Sequence, residues 1–181
     1  MNFACTEMAS PVGELAIAVA NGRLVALCFE GIWDRRVRSL ERRFPGARFE
    51  AVRDPAGVRS RLTQYFEGDL DALAPIEVEC WGTPFQRSVW AELQRIPVGE
   101  TRTYSEVARA IGQPAAVRAV GTANGANPVA IVVPCHRVIG SNGTLTGFGG
   151  GLPNKKWLLD HEGAQLRVFP ADPAERKRRA A

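Results

Sequence analysis

Apolar positions follow two different periods along the chain. Leu15, Ile17 and Val19 alternate, Asn21-Gly22 interrupts, and Leu24 to Phe29 resume the apolar run. Asn-Gly between such runs predicts a tight hairpin, because the favoured turn needs positive φ at both central residues. Trp33, Val37, Leu40 and Phe44 then recur at helical spacing, and a strand is expected around Arg48 to Val52. Val58, Leu62, Tyr65 and Phe66 mark one face of a second helix. These elements predict a small α+β unit over residues 1–79, with no chemistry of its own. Cys28 and Cys80 read as packing residues.

From residue 80 onwards the helical period dominates. Thr83-Pro84-Phe85-Gln86 and Thr103-Tyr104-Ser105-Glu106 each have the form of a capping box at a helix start. Phe85, Val89 and Leu93 lie on the first helix, which stops before Pro97-Val98-Gly99. Val107, Ala108 and Ile111 lie on the second, which Gly112 and Pro114 end. A third is expected from about Ala115 to Asn124. Two helices joined by a short glycine-containing turn match a helix-turn-helix. The third carries almost no long side chains: Ala115, Ala116, Ala119, Gly121, Ala123, Gly125 and Ala126 dominate it. A helix reading the major groove presents Arg, Asn or Gln to base edges. A bare one suits close packing, or entry into a minor groove ~6 Å wide by a helix ~10–12 Å across.

Composition narrows the setting. The chain has 181 residues, 45% of them hydrophobic and 23% charged, with a net charge of +4. A modest positive charge is compatible with a polyanionic partner without requiring one. Part of it sits in a basic tail, residues 166–181, where Arg176-Lys177-Arg178-Arg179 read as solvated charge or auxiliary phosphate contact. No apolar run reaches membrane-spanning length, and the N-terminus lacks a basic stretch followed by an apolar one, so a cytoplasmic protein with no membrane partner is expected. The four cysteines, Cys5, Cys28, Cys80 and Cys135, show no CxxC pairing, and only two histidines accompany them. That usage suits a reducing compartment and predicts neither a disulfide framework nor a zinc site. No glycine-rich fingerprint follows a strand, so no cofactor is expected.

Chemistry concentrates in Val133-Pro134-Cys135-His136-Arg137-Val138-Ile139-Gly140. A thiol attacks as thiolate, and an adjacent imidazole raises the thiolate fraction. Taken alone, the pair reads as a buried cysteine ending the apolar run Val129 to Val133. Its surroundings change that reading. The stretch from Asn127-Pro128 through Pro134-Cys135-His136-Arg137-Val138, Thr146-Gly147-Phe148-Gly149-Gly150-Gly151 and Leu158-Leu159-Asp160-His161-Glu162-Gly163 closely resembles the O6-alkylguanine-DNA alkyltransferases, the methylated-DNA–protein-cysteine methyltransferases. The match runs from about Thr83 to Gly163; Ser10-Pro11-Val12-Gly13 extends it in layout.

The resemblance implies an α+β protein: a ribonuclease H-like N-terminal domain over 1–79, then a winged helix-turn-helix catalytic domain over 80–165. It implies single-turnover transfer of an alkyl group from O6-alkylguanine in double-stranded DNA to Cys135, with His136 as base through a water and Glu162 orienting it. O4-alkylthymine stays open as a second substrate, and a monomer is expected. Glu162 falls at a helix C-terminus, which disfavours an anion, so a compensating partner is expected, such as an imidazolium. Asn127 would tie the turn before the catalytic strand, and Tyr104 would help rotate the nucleotide and donate a proton. Arg118 would fill the gap left by the flipped base, since the reacting oxygen cannot be reached inside a stacked duplex. Ala119, Thr122, Ala123 and Asn124 would face DNA. The base pocket would use the backbone of Cys135 and Val138 together with Phe148, Gly149 and Gly150. Phe148 and Gly149 replace a tyrosine and a serine seen in relatives, which predicts a roomier, less polar wall. Two other readings stand beside this one: a cysteine-dependent hydrolase, which needs an oxyanion hole, and a non-catalytic helix-turn-helix protein, which has no use for the thiol.

Overall fold

The computed structural model describes residues 1–164. Strands β1 (Asn2–Met8), β2 (Leu15–Ala20), β3 (Arg23–Phe29) and β4 (Arg48–Ala51) form one sheet of order β3-β2-β1-β4. The β1–β2 and β2–β3 pairs are antiparallel, and β1–β4 is parallel. Asn21 (φ 51°) and Gly22 (φ 77°) make the hairpin turn that this pair favours. Strands β3 and β4 point the same way, so a crossover must join them. Helix α1 (Trp33–Arg43) supplies it, and α2 (Val58–Phe66) follows β4.

Among the described residues four helices build the second half: α3 (Pro84–Leu93), α4 (Tyr104–Ala110), α5 (Val117–Gly125) and α6 (Leu152–His161). A short parallel pair, β5 (Arg102–Thr103) with β6 (Val138–Ile139), lies among them. Both capping boxes form: the Gln86 amide donates to Thr83 Oγ1 at 3.2 Å, and the Glu106 amide to Thr103 Oγ1 at 3.2 Å. A cap of this kind stabilises its helix by ~1 kcal/mol. Residues 113–116 form a turn, so α5 begins at Val117, two residues later than its alanines imply.

The two halves share one core. Leu27, Phe29, Leu62 and Tyr65 pack in the same buried cluster as Val89, Leu93, Val120 and Leu158. Backbone bonds cross as well: Leu27 donates to the Pro128 carbonyl (3.0 Å) and accepts from the Ala130 amide (2.8 Å). Residues 77–79 bond to Leu24 of the same strand. The outer edge of β3 is thereby covered rather than left open to another chain.

The apolar run Val129 to Val133 is not the catalytic strand that the resemblance implies. Val129 makes one bridge to Leu27, after which the chain coils, with the Val133 amide bonded to Val129 and the Cys135 amide to Val133. Ile131 adopts φ 70°, a left-handed backbone that a β-branched residue rarely takes. Short apolar runs do not distinguish a strand from any other buried segment. No helix among the described residues is long and apolar enough to cross a membrane. The basic tail lies outside the described residues.

Candidate active site

Cys135 opens a single 3-10 turn, Cys135–Arg137, that drives all three of its side chains inwards. Asn127 holds the loop before it: its Nδ2 donates to the Val133 carbonyl at 2.7 Å, and its Oδ1 accepts from the Val129 amide at 3.0 Å. On the far side, β6 pairs with β5 and fixes where the turn ends. Cys135 is 6% exposed and lines a cavity of about 40 Å³ with Cys28, Phe29, Asn124, Asn127 and Phe148. Burial pushes its thiol up; the Asn127 side chain and the Lys155 charge pull the other way. In this closed state the resting group is a thiol.

His136 is fully buried, with Nε2 3.0 Å from Glu162 Oε1. A carboxylate accepts, so Nε2 carries the proton and Nδ1 keeps a free lone pair. Nδ1 is buried without a protein partner among the described residues. Burial holds the imidazole below its ordinary value while Glu162 opposes that shift, so the ring rests neutral.

Glu162 caps the C-terminus of α6 and is 4% exposed. The imidazolium suggested from sequence is not what compensates it. Arg137 grips it in a fork, Nε to Oε2 at 2.8 Å and Nη2 to Oε1 at 2.8 Å, and uses Nη1 on the Ile96 carbonyl at 2.6 Å. Tyr65, reaching across from α2, donates to Oε1 at 2.8 Å. Burial works against the anion, yet hydrogen bonds from His136 and Arg137, with the Arg137 charge, hold the carboxyl well below the usual range. Tyr65 itself is pushed far up by burial and the adjacent carboxylate, so it remains a donor. The N-terminal half, expected to hold no chemistry, therefore touches the His136–Glu162 pair directly.

Arg137, Tyr65 and Lys155 escape a reading based on sequence. Lys155 is completely buried on α6, its ammonium 2.6 Å from the Val138 carbonyl and 2.7 Å from that of Thr146. Burial lowers it to about 8, a shift that ionisation of Cys135 would oppose. Its position among Leu152, Trp157 and Leu158 in a helix start gives no cue. Arg137 stands in the motif itself, where its neighbours draw the attention. The carbonyls expected to receive a guanine already hold protein donors: Val138 that of Lys155, and Cys135 that of Asn124 at 3.3 Å. Each keeps a second lone pair.

Helix α5 divides the residues expected to face DNA. Arg118, Ala119 and Thr122 are exposed along one stripe. Ala123 and Asn124 are buried instead, at 2% and 3% exposure. The Ala123 carbonyl accepts from the Trp90 indole at 2.8 Å, and Asn124 points at the Cys135 carbonyl. At 3.6 residues per turn, one step past Thr122 turns Ala123 about a quarter turn off the exposed stripe and two steps bring Asn124 to the opposite face. Tyr104, half-buried at the start of α4, reaches the Thr146 carbonyl at 3.5 Å.

The segment around Phe148 does not leave the roomier wall that its glycines predict. The Phe29 and Phe148 rings meet edge to face at 5.4 Å. A Cβ on Gly150 would sit 2.5 Å from the Phe29 ring, and one on Gly149 would sit 3.3 Å from Ile32. Side chains from the N-terminal half fill the space that the glycines vacate. Among the described residues no group of His, Cys, Asp and Glu is placed to hold a metal.

Comparison with known proteins extends beyond the site. Residues 84–164 match the family model described as 6-O-methylguanine DNA methyltransferase, DNA binding domain. A methylated-DNA–protein-cysteine methyltransferase of Salmonella typhimurium is 46% identical over 163 residues, spanning 88% of this chain and 95% of that protein. Another, of Mycolicibacterium paratuberculosis, is 45% identical over 167 residues, spanning 88% and 94%. The crystal structure of Mycobacterium tuberculosis OGT in complex with DNA superimposes with a TM-score of 0.74 at 39% identity, covering 94% of this chain and 96% of that one. The O6-methylguanine-DNA methyltransferase of Pyrococcus kodakaraensis gives 0.65 at 26% identity, covering 90% and 99%. Identity of this order along nearly the whole chain, with an α+β fold shared by the solved structures, places the protein in the methylated-DNA–protein-cysteine methyltransferase family.

Proposed function

We propose that the protein repairs alkylated DNA by moving the alkyl group from O6 of guanine to Cys135. The observation that carries this is the buried row Cys135, His136, Glu162 in a chain of that family. In the reaction the thiolate attacks the alkyl carbon, the S–C bond forms, and the C–O bond breaks with its electron pair leaving on the purine. The thiol proton passes through a bridging water to His136 Nδ1, and Glu162 fixes the tautomer that frees this atom. Lys155 favours the thiolate through its charge and braces Val138. The thioether has no hydrolytic exit, so each molecule reacts once and no cofactor is consumed.

Access requires movement. A cavity of about 40 Å³ has room for a few waters and is far below the ~300–1,000 Å³ of pockets that enclose a ligand. A flipped guanine therefore needs the Gly147–Gly151 segment to swing off Phe29 and Ile32. The bare exposed stripe of α5 suits the minor groove, Arg118 fills the place of the extruded base, and Tyr104 assists rotation and protonation. Helices α4 and α5 beside the β5–β6 pair support a winged helix-turn-helix over 80–165, and the β3-β2-β1-β4 order supports a ribonuclease H-like domain over 1–79. A cytoplasmic monomer fits this task.

The test is intact-mass analysis after incubation with a duplex holding one O6-methylguanine. One methyl group on the peptide containing Cys135 is expected, and Cys135→Ser should take up none. A methyl on Cys5, Cys28 or Cys80, or hydrolytic turnover of esters, contradicts the proposal.

A further inference from the structure

Helix α1 carries five arginines in eleven residues, and they do different things. Arg36 turns inwards and ties α1 to the catalytic loop, with Nη2 3.4 Å from the Asn127 carbonyl. Arg43 lies over the Phe44 and Trp81 rings, at 5.6 and 5.7 Å from their centroids. Arg35 and Arg42 are exposed and enter no ion pair with the described residues. Together with Ser39 they share one face, at the i, i+4, i+7 spacing of a helix.

That face is one wall of a groove of about 400 Å³ whose other wall is Thr122, Gly125 and Ala126, at the C-terminal end of α5. Three guanidiniums and two hydroxyls line it, and no carboxylate does. The acids of this region sit in a separate groove, where Asp34 of α1 joins Glu7, Glu14 and Glu30. Charge on α1 is thus sorted by side. Like charges at helical spacing oppose one another, so the arginine face is suited to an external anion. Thr122 belongs to the exposed stripe of Arg118 and Ala119, which makes the groove a direct continuation of the surface assigned to DNA.

We propose that Arg35, Ser39 and Arg42 form a second phosphate-binding flank, by which the N-terminal half grips the DNA backbone beyond the end of α5. The inference rests on the reading that α5 faces DNA. A duplex lying along α5 carries its backbone past Gly125 into this groove. There the guanidiniums can fork onto phosphate oxygens, contacts that position without reading sequence. Such a grip suits a protein whose target lies in any sequence.

The experiment measures binding of undamaged duplex by the full-length protein across a range of salt, for wild type, R35Q/R42Q and R48Q/R53Q. The last pair removes the same charge from β4 and the segment after it, outside the groove. Each lost phosphate contact flattens the slope of log K against log salt by about 0.9. R35Q/R42Q should therefore lower the slope by about one to two, while R48Q/R53Q changes it little. Single-turnover methyl transfer at saturating protein should match wild type, since neither arginine touches the reacting atoms. An unchanged slope in R35Q/R42Q, or an equal change in R48Q/R53Q, overturns the proposal. A wild type that transfers methyl normally while the slope stays fixed sinks only this inference. A wild type that neither binds duplex nor accepts methyl sinks the functional reading with it. Matched melting curves of the three proteins guard against a folding effect.

Discussion

Replacing Tyr65 with phenylalanine isolates one hydrogen bond of the relay. The ring keeps its edge contacts with Phe66 and His161, so packing is preserved. What disappears is the donation to Glu162 Oε1, an oxygen that also accepts from His136 at 3.0 Å and Arg137 at 2.8 Å. Hydrogen bonds to charged groups contribute ~1.5–3 kcal/mol, and the lower end applies because Oε1 is not left orphaned. With one donor fewer, the carboxylate holds the His136 proton more strongly and favours the imidazolium. His136 should then titrate about half a unit to one unit higher, at 1.36 kcal/mol per unit. A base must be neutral to act, so the acid limb of the rate profile should move to higher pH while the alkaline plateau stays put. Below the limb, transfer should fall roughly 3–10-fold. The assay is single-turnover methyl transfer from a lesion duplex across pH, with thermal melting as a companion. Superimposable profiles, or a uniform drop at every pH, would refute the argument and leave Tyr65 a packing residue.

Other consequences follow from the same geometry. Lys155→Met removes the charge beside the thiol and unties the Val138 and Thr146 carbonyls, so single-turnover transfer should slow by about tenfold or more, by analogy with other supporting residues. Because Lys155 titrates at about 8, its help to the thiolate is present below that pH and fades above it, and the deficit of the variant should narrow there. Gly150→Ala forces a Cβ against Phe29, so the lid should be displaced and labelling of the Cys135 peptide by a small maleimide accelerated. An unchanged labelling rate contradicts that. Glu162 is held below its unfolded value, so the stability it contributes is complete above pH ~4.3 and declines as pH falls towards the native value. Urea midpoints should drop through that acid range, and Glu162→Gln, less stable at neutral pH, should show a flatter dependence.

Local signals carried much of the fold. Asn21-Gly22 and the two capping boxes each place their own backbone, and the structure has them where the sequence puts them. The Val129 to Val133 run failed because its partner, Leu27, lies a hundred residues away and forms one bridge instead of a ladder. His136 and Glu162 lie in hydrogen-bond contact, one residue along from Cys135. Their supports do not announce themselves: Tyr65 is a face residue of an amphipathic helix, and Lys155 resembles its exposed neighbour Lys156. Burial of a charged side chain is decided by what packs over it, which local sequence does not encode. Ala123 and Asn124, placed on the DNA face by the resemblance, lie a quarter and half a turn past Thr122 and pack inwards instead.

The shut cavity over Cys135 bears on how a consumable reagent is safeguarded. Every accidental encounter with an electrophile would cost a whole protein molecule, because the adduct cannot be removed. Burial raises the thiol out of its reactive form, and Phe148, seated on Phe29, bars the way to it. Reactivity is thereby made conditional on something large enough to prise the lid open. On the proposed reading, that condition acts as a filter by size in a cell rich in small alkylating and oxidising species: a damaged base in its duplex would meet it, and the free agent that caused the damage would not.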